Sequence, residues 1–366
     1  MRNQILIIKP FMTIQRYHFK RSLELAKYFD ITWIIHHGHY DDINTQHYSN
    51  ENHKIIVTGE KPKRNNIYSN NSWLIPFYFL ISKHLKKNRY DLIFIHLERF
   101  CFLLPIFSPN QNYALQLFTA AISHSKLKNM INNLEQKFHI MFFHKIIIGT
   151  SWMSEKFKLG KKQVICPKWG HVRISSVPKC FDAIRLLYVG TLTNRRIHET
   201  AQGLSIFLKN NQVDVNVSYD IIGTGNDESI AELKRSIKQY GLSEIVTLHG
   251  FLSDAELAGF FDTCNVGIAY IPITDYYNNV VATKLIEYHL SGMVAIATET
   301  NENIKTVSSN NGVLINDNPL SFADGLLKVY ENLKNWSSEK IFKESEVMTT
   351  EYLVKTETVL ALKSLM

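Results

Sequence analysis

The residues best placed for chemistry lie in the stretch TKLIEYHLSGMVAIAT, residues 283–298, where Lys284 and Glu287 stand three apart. At that spacing a cation and a carboxylate share one side of an α-helix, one turn apart. Ala282, Leu285, Ile286, His289, Leu290 and Met293 supply an apolar face on the other side. Thr283 is the expected N-cap and Gly292 the expected C-cap, and beyond Gly292 the run turns into a buried-strand pattern. A helix that follows a parallel strand offers unpaired N–H groups and the positive end of its dipole, which suits a diphosphate. Lys284 or Thr283 could then meet phosphate while Glu287 accepts hydrogen bonds from sugar hydroxyls. The plain alternative is a capped helix with one Lys–Glu pair, worth ~0.3 kcal/mol.

Such a helix needs a sheet to present it, and the chain alternates strand-like and helix-like runs almost throughout. Strands are expected at 5–8, 31–36, 54–58, 91–96, 113–118 and 145–150, and again at 185–190, 217–223, 245–250, 266–271, 294–298 and 312–315. Helical patterns fall at 16–28, 72–88 and 124–141, then at 196–210, 227–240, 254–263, 283–291 and 319–334. Continuous Val/Ile-rich strands alternating with helices imply parallel sheets buried on both faces. The pattern occurs twice, on either side of the polar stretch ISSVPKCFDA at 174–183. The expected organisation is therefore α/β: an N-terminal domain at 1–178, a second at 179–336, and a helical segment at 337–366 that can return to the first. Ligands of such doubly wound domains bind beyond the carboxyl ends of the strands.

The length of 366 residues agrees with two domains, since single cores stop growing near ~250–300 residues. The longest apolar run, WLIPFYFLI at 73–81, is about half of what a bilayer span requires, so no transmembrane helix is expected. The N-terminus runs straight into a strand and does not read as a signal peptide. Cys101, Cys166, Cys180 and Cys264 lack C-x-x-C spacing, which argues for neither zinc nor a disulfide framework and fits a reducing cytoplasm. Charge is unevenly spread. Residues 1–180 hold 26 Lys and Arg against 10 Asp and Glu, net +16, whereas residues 181–366 hold 15 against 23, net −8. The first half is expected to face something anionic: nucleic acid, an acidic membrane surface or a phosphorylated substrate. The segment SWLIPFYFLISKHLKKNR at 72–89 mixes aromatics with Lys83, Lys86, Lys87 and Arg89; it suits a helix at a membrane surface, or an ordinary amphipathic helix packed on the sheet.

The stretch YYNNVVATKLIEYHLSGMVAIATETNEN resembles the donor-binding region of the retaining glycosyltransferases of GT-B fold, family four (glycosyl transferases group 1). LLYVGTLTNRR, YDIIGTGND and VTLHGFLSDAELAGFFDTCNVGIAYIP resemble further parts of that family's C-terminal domain, in the expected order. The resemblance covers about 184–316. It implies two Rossmann-like domains facing a cleft and a nucleotide-diphosphate sugar of UDP or GDP type as co-substrate, with no cofactor or metal. Position by position, Arg196, six residues after Gly190, takes the place of a donor-diphosphate Lys, with Arg195 as the fallback. Thr191 replaces an Arg often found there. Gly223 and Gly225 would let the backbone approach the nucleotide. Glu287 matches the glutamate that holds the ribose, and Asn279 stands where an earlier glutamate often contacts the transferred sugar; Tyr276, Tyr277 and Asn278 can contribute instead. A cleft histidine is expected from the first domain, with His96, His124 and His18 as candidates. Glu135 resembles a structural glutamate of the family, and Trp169 is a candidate for packing in the cleft.

The expected function is transfer of a sugar, with retention, to a lipid-linked glycan in bacterial surface polysaccharide synthesis (capsule or lipopolysaccharide), by a cytoplasmic protein peripheral on the inner face of the plasma membrane. Arg196, Lys284 and the helix N-terminus would stabilise the leaving diphosphate, with a histidine at His124 or His96 completing the catalytic set. An epimerase of the same fold would need acid and base carboxylates, and the acidic residues of the first half are few and scattered. A nucleic-acid-binding protein would fit the basic half, but no recognition motif for it is present.

Overall fold

A computed structural model describes residues 2–10, 16–36, 48–58, 73–120 and 126–366. Two compact units emerge: Met1–Gly170 with Thr350–Met366, and His171–Thr349. The division thus falls at Gly170/His171 rather than at 178/179, and the C-terminal segment is shared, with residues up to Thr349 in the second unit and the last seventeen in the first.

The first unit runs β1 (Gln4–Lys9), α1 (Arg16–Leu25), β2 (Asp30–His36), β3 (His53–Thr58), α2 (Leu74–Lys87), β4 (Leu92–His96), α3 (Leu103–Phe107), β5 (Tyr113–Leu117), α4 (Lys126–Met141), β6 (Lys145–Ile148), α5 (Ser151–Phe157) and β7 (Gln163–Ile165). All seven strands are parallel, in the order β3-β2-β1-β4-β5-β6-β7. Their centres are continuous runs such as Ile5, Leu6, Ile7 and Ile8, buried on both faces of the sheet, which is why the sequence shows no alternation there. The edge strand β7 and the short helices α3 and α5 leave no periodic signal long enough to read.

The second unit continues β8 (Ile184–Val189), α6 (His198–Asn210), β9 (Val217–Ile222), α7 (Asp227–Gln239), β10 (Val246–Gly250), α8 (Asp254–Thr263), β11 (Val266–Ala269), α9 (Thr283–Leu290), β12 (Val294–Thr298), β13 (Gly312–Ile315), α10 (Pro319–Glu331) and α11 (Ser338–Ser345). Its six parallel strands lie in the order β10-β9-β8-β11-β12-β13. Local signals start the helices where expected: Asn226 and Asn318 accept from Ser229 and Ser321, and Ser253 forms a capping box with Glu256. One core packs α6 and α10 on a face of the sheet through Leu204, Phe207, Phe322 and Leu326; the other face packs α8 and α9 through Phe261, Tyr288 and Met293.

The chain then rejoins the first unit. After α12 (Thr350–Leu353) and a π-helical turn at Val354–Thr358, α13 (Val359–Lys363) buries Val359, Leu362 and Leu365 against Phe19, Leu25 and Trp33. Lys145 Nζ and Asn112 Nδ2 donate to the Leu365 carbonyl at 2.6 and 2.9 Å, so the last turn's exposed carbonyl is satisfied by the sheet. Helix α2 buries Leu74, Phe77, Tyr78, Ile81 and Leu85, so its inner face is that of an ordinary packed helix.

Candidate functional site

In both sheets the strand order reverses direction once, between β1 and β4 and between β8 and β11. At such a reversal the loops leave the sheet on opposite sides and open a crevice beyond the carboxyl ends. In the second unit the residues singled out from sequence gather there. Gly190 follows β8, the 270–282 loop follows β11, and α9 begins directly after that loop.

Lys284 is the centre of this arrangement. Its Nζ lies 3.7 Å from the Tyr188 ring centroid, and a Cβ placed on Gly190 (φ +145°) would stand only 2.9 Å from it. Among the described residues no hydrogen-bond acceptor or carboxylate holds this ammonium. Burial first, and then the charge of Arg195, push it down to about 7, while Glu287 acts in the opposite sense. A desolvated cation of this kind gains most from an incoming anion. The Tyr188 hydroxyl donates to the Thr191 carbonyl at 2.6 Å, which fixes the turn on which Lys284 rests; the Thr191 side chain is exposed.

The two arginines make different contacts. Asn194 and Arg196 both adopt left-handed backbone, φ +61° and +51°, and this twist sends their neighbours in different directions. Arg196 donates to the Asp317 carboxylate at 2.5 Å and its carbonyl at 2.9 Å, and lies 3.5 Å from Glu199. Its charge is already matched. Arg195 instead stacks on Tyr277, with its guanidinium carbon 4.2 Å from the ring centroid, and donates to the Tyr277 hydroxyl. The arginine whose charge reaches Lys284 is therefore Arg195. Sequence spacing counted residues correctly but could not foresee two left-handed residues within one short loop.

Thr283 is the first residue of α9 and exposed, and the N-cap is Ala282, not Thr283. Ala282 has no side-chain oxygen, so no side chain caps the N–H groups of the first turn. Gly292 does lie just past the helix, in left-handed conformation at φ +73°, after Ser291. Glu287 is half-buried, one turn beyond Lys284. The glycines serve the chain itself: a Cβ on Gly223 (φ +145°) would stand 1.8 Å from the Gly190 carbonyl oxygen, and one on Gly225 would stand 2.9 Å from Leu192 Cβ. They let the turns after β8 and β9 pack against each other.

Asn279 pins its loop. Its amide donates to the Asp275 carbonyl at 2.8 Å and its Oδ1 accepts from Asn301 Nδ2 at 3.0 Å, while Asn278 Oδ1 accepts from the Asn301 backbone at 3.0 Å. The start of the same loop is held where Ile273 N–H donates to the Asp317 carboxylate at 2.9 Å. Asp317 thus joins Arg196 to the loop that carries Tyr277.

The first unit presents a different set. His96 closes β4 and is half-buried beside Gln116 and Trp169 around a small cavity. His124 and the His18 side chain lie outside the described residues. Trp169 packs into this unit's core, 6.3 Å from the Phe118 ring. Glu135 pairs with Arg99 at 2.8 Å and lies 3.9 Å from His139, a bracing contact. Sequence reading missed a pair at this unit's strand reversal: Lys9 ends β1 and Glu98 lies two residues past β4. Burial pushes Lys9 down to about 8 and Glu98 up to about 7, and each charge partly restores the other. A charged residue at the end of a largely apolar strand, or just past it, was the available signal.

Comparison with known proteins agrees with this geometry. Residues 181–344 match the family of glycosyl transferases group 1. HepE of Anabaena, solved in complex with UDP and glucose, superposes with a TM-score of 0.72 at 13% identity, over 99% of this chain and 100% of that one. A glycosyltransferase from Rickettsia africae gives 0.69 at 14% identity, over 100% and 98%. The lipopolysaccharide outer core galactosyltransferase WaaB gives 0.69 at 13%, over 100% of both chains. No curated protein matches the chain in sequence. Through residues 181–344 the chain carries a glycosyl transferases group 1 domain, and its fold is that of the GT-B glycosyltransferases.

Proposed function

We propose that this protein transfers a sugar from a nucleoside-diphosphate sugar to a lipid-linked glycan, with retention of configuration, at the inner face of a bacterial plasma membrane. The observation that carries the donor half is Lys284: a cation desolvated over the Gly190 turn at the strand reversal, beside Arg195. Arg195 and the N-terminus of α9 add to the same positive potential. A diphosphate seated there would be stabilised further as negative charge grows on it during departure, and these groups need no rearrangement to do so. In this reading Glu287, one turn along α9, accepts from the ribose hydroxyls. The cationic side chains offer the charge compensation of the reaction, and the proposal includes no metal or other cofactor.

The acceptor half is supported more broadly. The first unit holds 26 Lys and Arg against 12 Asp and Glu, net +14, which favours an anionic acceptor such as a lipid diphosphate. In this reading Lys9 and Glu98, half-buried at its strand reversal, handle the acceptor hydroxyl. WaaB, a lipopolysaccharide outer core galactosyltransferase by its description, is among the proteins of like fold, and this reading takes an acceptor of that kind. Calorimetric titration with UDP, GDP and their sugar conjugates tests the donor half. Saturable binding of one nucleotide, lost on Lys284→Ala, is expected. Absence of binding by either nucleotide, together with no hydrolysis of any donor, would overturn the reading.

A further inference from the structure

Helix α4 carries its apolar stripe on the outside. Leu127, Met130, Ile131, Leu134, Phe138 and Met141 recur at helical spacing, and their exposures run from 45% to 71%. In a globular protein such a stripe normally faces the core. Here the core is reached instead by Ile140 and His139 at the end of the helix.

The stripe is not isolated. The crossovers β3–α2–β4, β4–α3–β5 and β5–α4–β6 all advance in one direction across the sheet, and right-handed connections put all three helices on one face. Phe102, which caps α3, meets Phe138 of α4 at 5.1 Å between ring centroids, and Phe107 of α3 meets Phe79 of α2 at 6.3 Å. Phe79 and Ile106 are half exposed, at 50% and 51%. One face of the first unit therefore presents apolar side chains across three helices. An apolar surface of this extent on a monomer marks a contact with something.

Charge indicates what that something is. Lys128 and Lys137 of α4 are exposed, Lys83 of α2 lies over the Phe79 ring at 4.6 Å, and the unit as a whole carries net +14. Apolar side chains accompanied by exposed lysines on a strongly basic body match the boundary between acyl chains and anionic headgroups. We propose that this face, centred on the outward stripe of α4, seats the first unit on an anionic lipid bilayer. The proposal rests on the lipid-linked acceptor reading for its purpose, since a surface-bound unit meets a lipid-borne acceptor in two dimensions. Its observations are independent of the donor site.

Sedimentation of the full-length protein with vesicles of phosphatidylcholine, with and without phosphatidylglycerol, tests it. Binding to the anionic vesicles should exceed binding to the neutral ones by at least about tenfold and should weaken as salt is raised. The double variant Ile131→Glu, Leu134→Glu should lose about tenfold or more of that binding. Lys128→Glu should lose about fivefold, mainly the anionic preference. Both variants should keep the melting temperature and the nucleotide affinity of the parent, which a misfolded protein would not. Equal, negligible binding to both vesicles would overturn the proposal, as would unchanged binding by the double variant. A dimer that the double variant converts to monomers, with no vesicle binding by the parent, would assign the face to a second copy of the chain instead. Loss of nucleotide binding with vesicle binding intact would count against the donor reading alone.

Discussion

The two units share one architecture and use charge in opposite ways. The second unit is acidic overall, with 15 Lys and Arg against 21 Asp and Glu, yet it concentrates cations at its strand reversal. Arg195 and Lys284 lie close enough that one lowers the proton affinity of the other, and Glu287 opposes this with a smaller influence. The first unit is strongly basic, yet at the equivalent reversal the half-buried Lys9 and Glu98 act on each other's charge, and much of the unit's cationic charge lies on helices such as α2 and α4. Net charge therefore says what a unit's surface meets, and local desolvation says what its site holds. A desolvated cation beside a second cation gains most from an anion; a cation and a carboxylate that act on each other's charge titrate together.

The comparison is tested most severely at Lys284. Lys284→Ala should weaken nucleoside-diphosphate binding by about 10- to 100-fold, since hydrogen bonds to charged groups are the stronger class. It should not lower the melting temperature, because the ammonium is disfavoured by its surroundings. Lys9→Met should leave nucleotide affinity within about twofold while impairing transfer to acceptor. If titration calorimetry showed the reverse ranking, the roles of the two reversals would have to be exchanged.

A second, smaller effect lies in pH. The folded value for Lys284, about 7, is below the usual lysine range near 10.5. Between those values the unfolded chain holds a proton that the folded chain has released, so the lysine's contribution to stability rises with pH across that window. Anion affinity runs the other way: it is full below about 7 and declines above it, with proton uptake on binding. Calorimetry of diphosphate binding at pH 8 in buffers of different ionisation heat should reveal that uptake, and Lys284→Ala should abolish it.

Glu287→Ala should cost about tenfold in nucleotide affinity with little change in stability. Least in affinity, the paired arginines should separate. Arg195→Lys should lower diphosphate affinity by about fivefold, because a lysine cannot stack and donate as Arg195 does on Tyr277. Arg196→Ala should instead lower the melting temperature by about 2–4 °C through loss of its ties to Asp317. Equal affinity losses in both would show that Arg196 reaches the ligand after all.

Much of the fold was legible in the residues. Twelve strands and eight helices fell within a few residues of their expected ranges, because buried parallel strands and long amphipathic helices leave strong patterns. The three-residue strand β7 and the five-residue helix α3 did not, being too short to show a period. At the candidate site, the positions of Lys284 and Glu287 on one helix and of Gly190 at a strand end were legible, because spacing within one helix and a glycine ending a strand are local properties.

Sequence alone determined the alternation of strands and helices, the division of charge between the halves, and the presence of a cation and carboxylate one turn apart at the head of α9. Those follow from residue order, since propensity, periodicity and charge are carried by neighbours in the chain. Only the tertiary structure decided that Arg195 and not Arg196 stands beside Lys284, that Ala282 leaves α9 without a side-chain cap, that Glu98 and Lys9 act on each other's charge, and that α4 turns its apolar stripe outward. Each depends on which distant segments come together and on how much water they exclude, and neither is written in the spacing of residues along a chain.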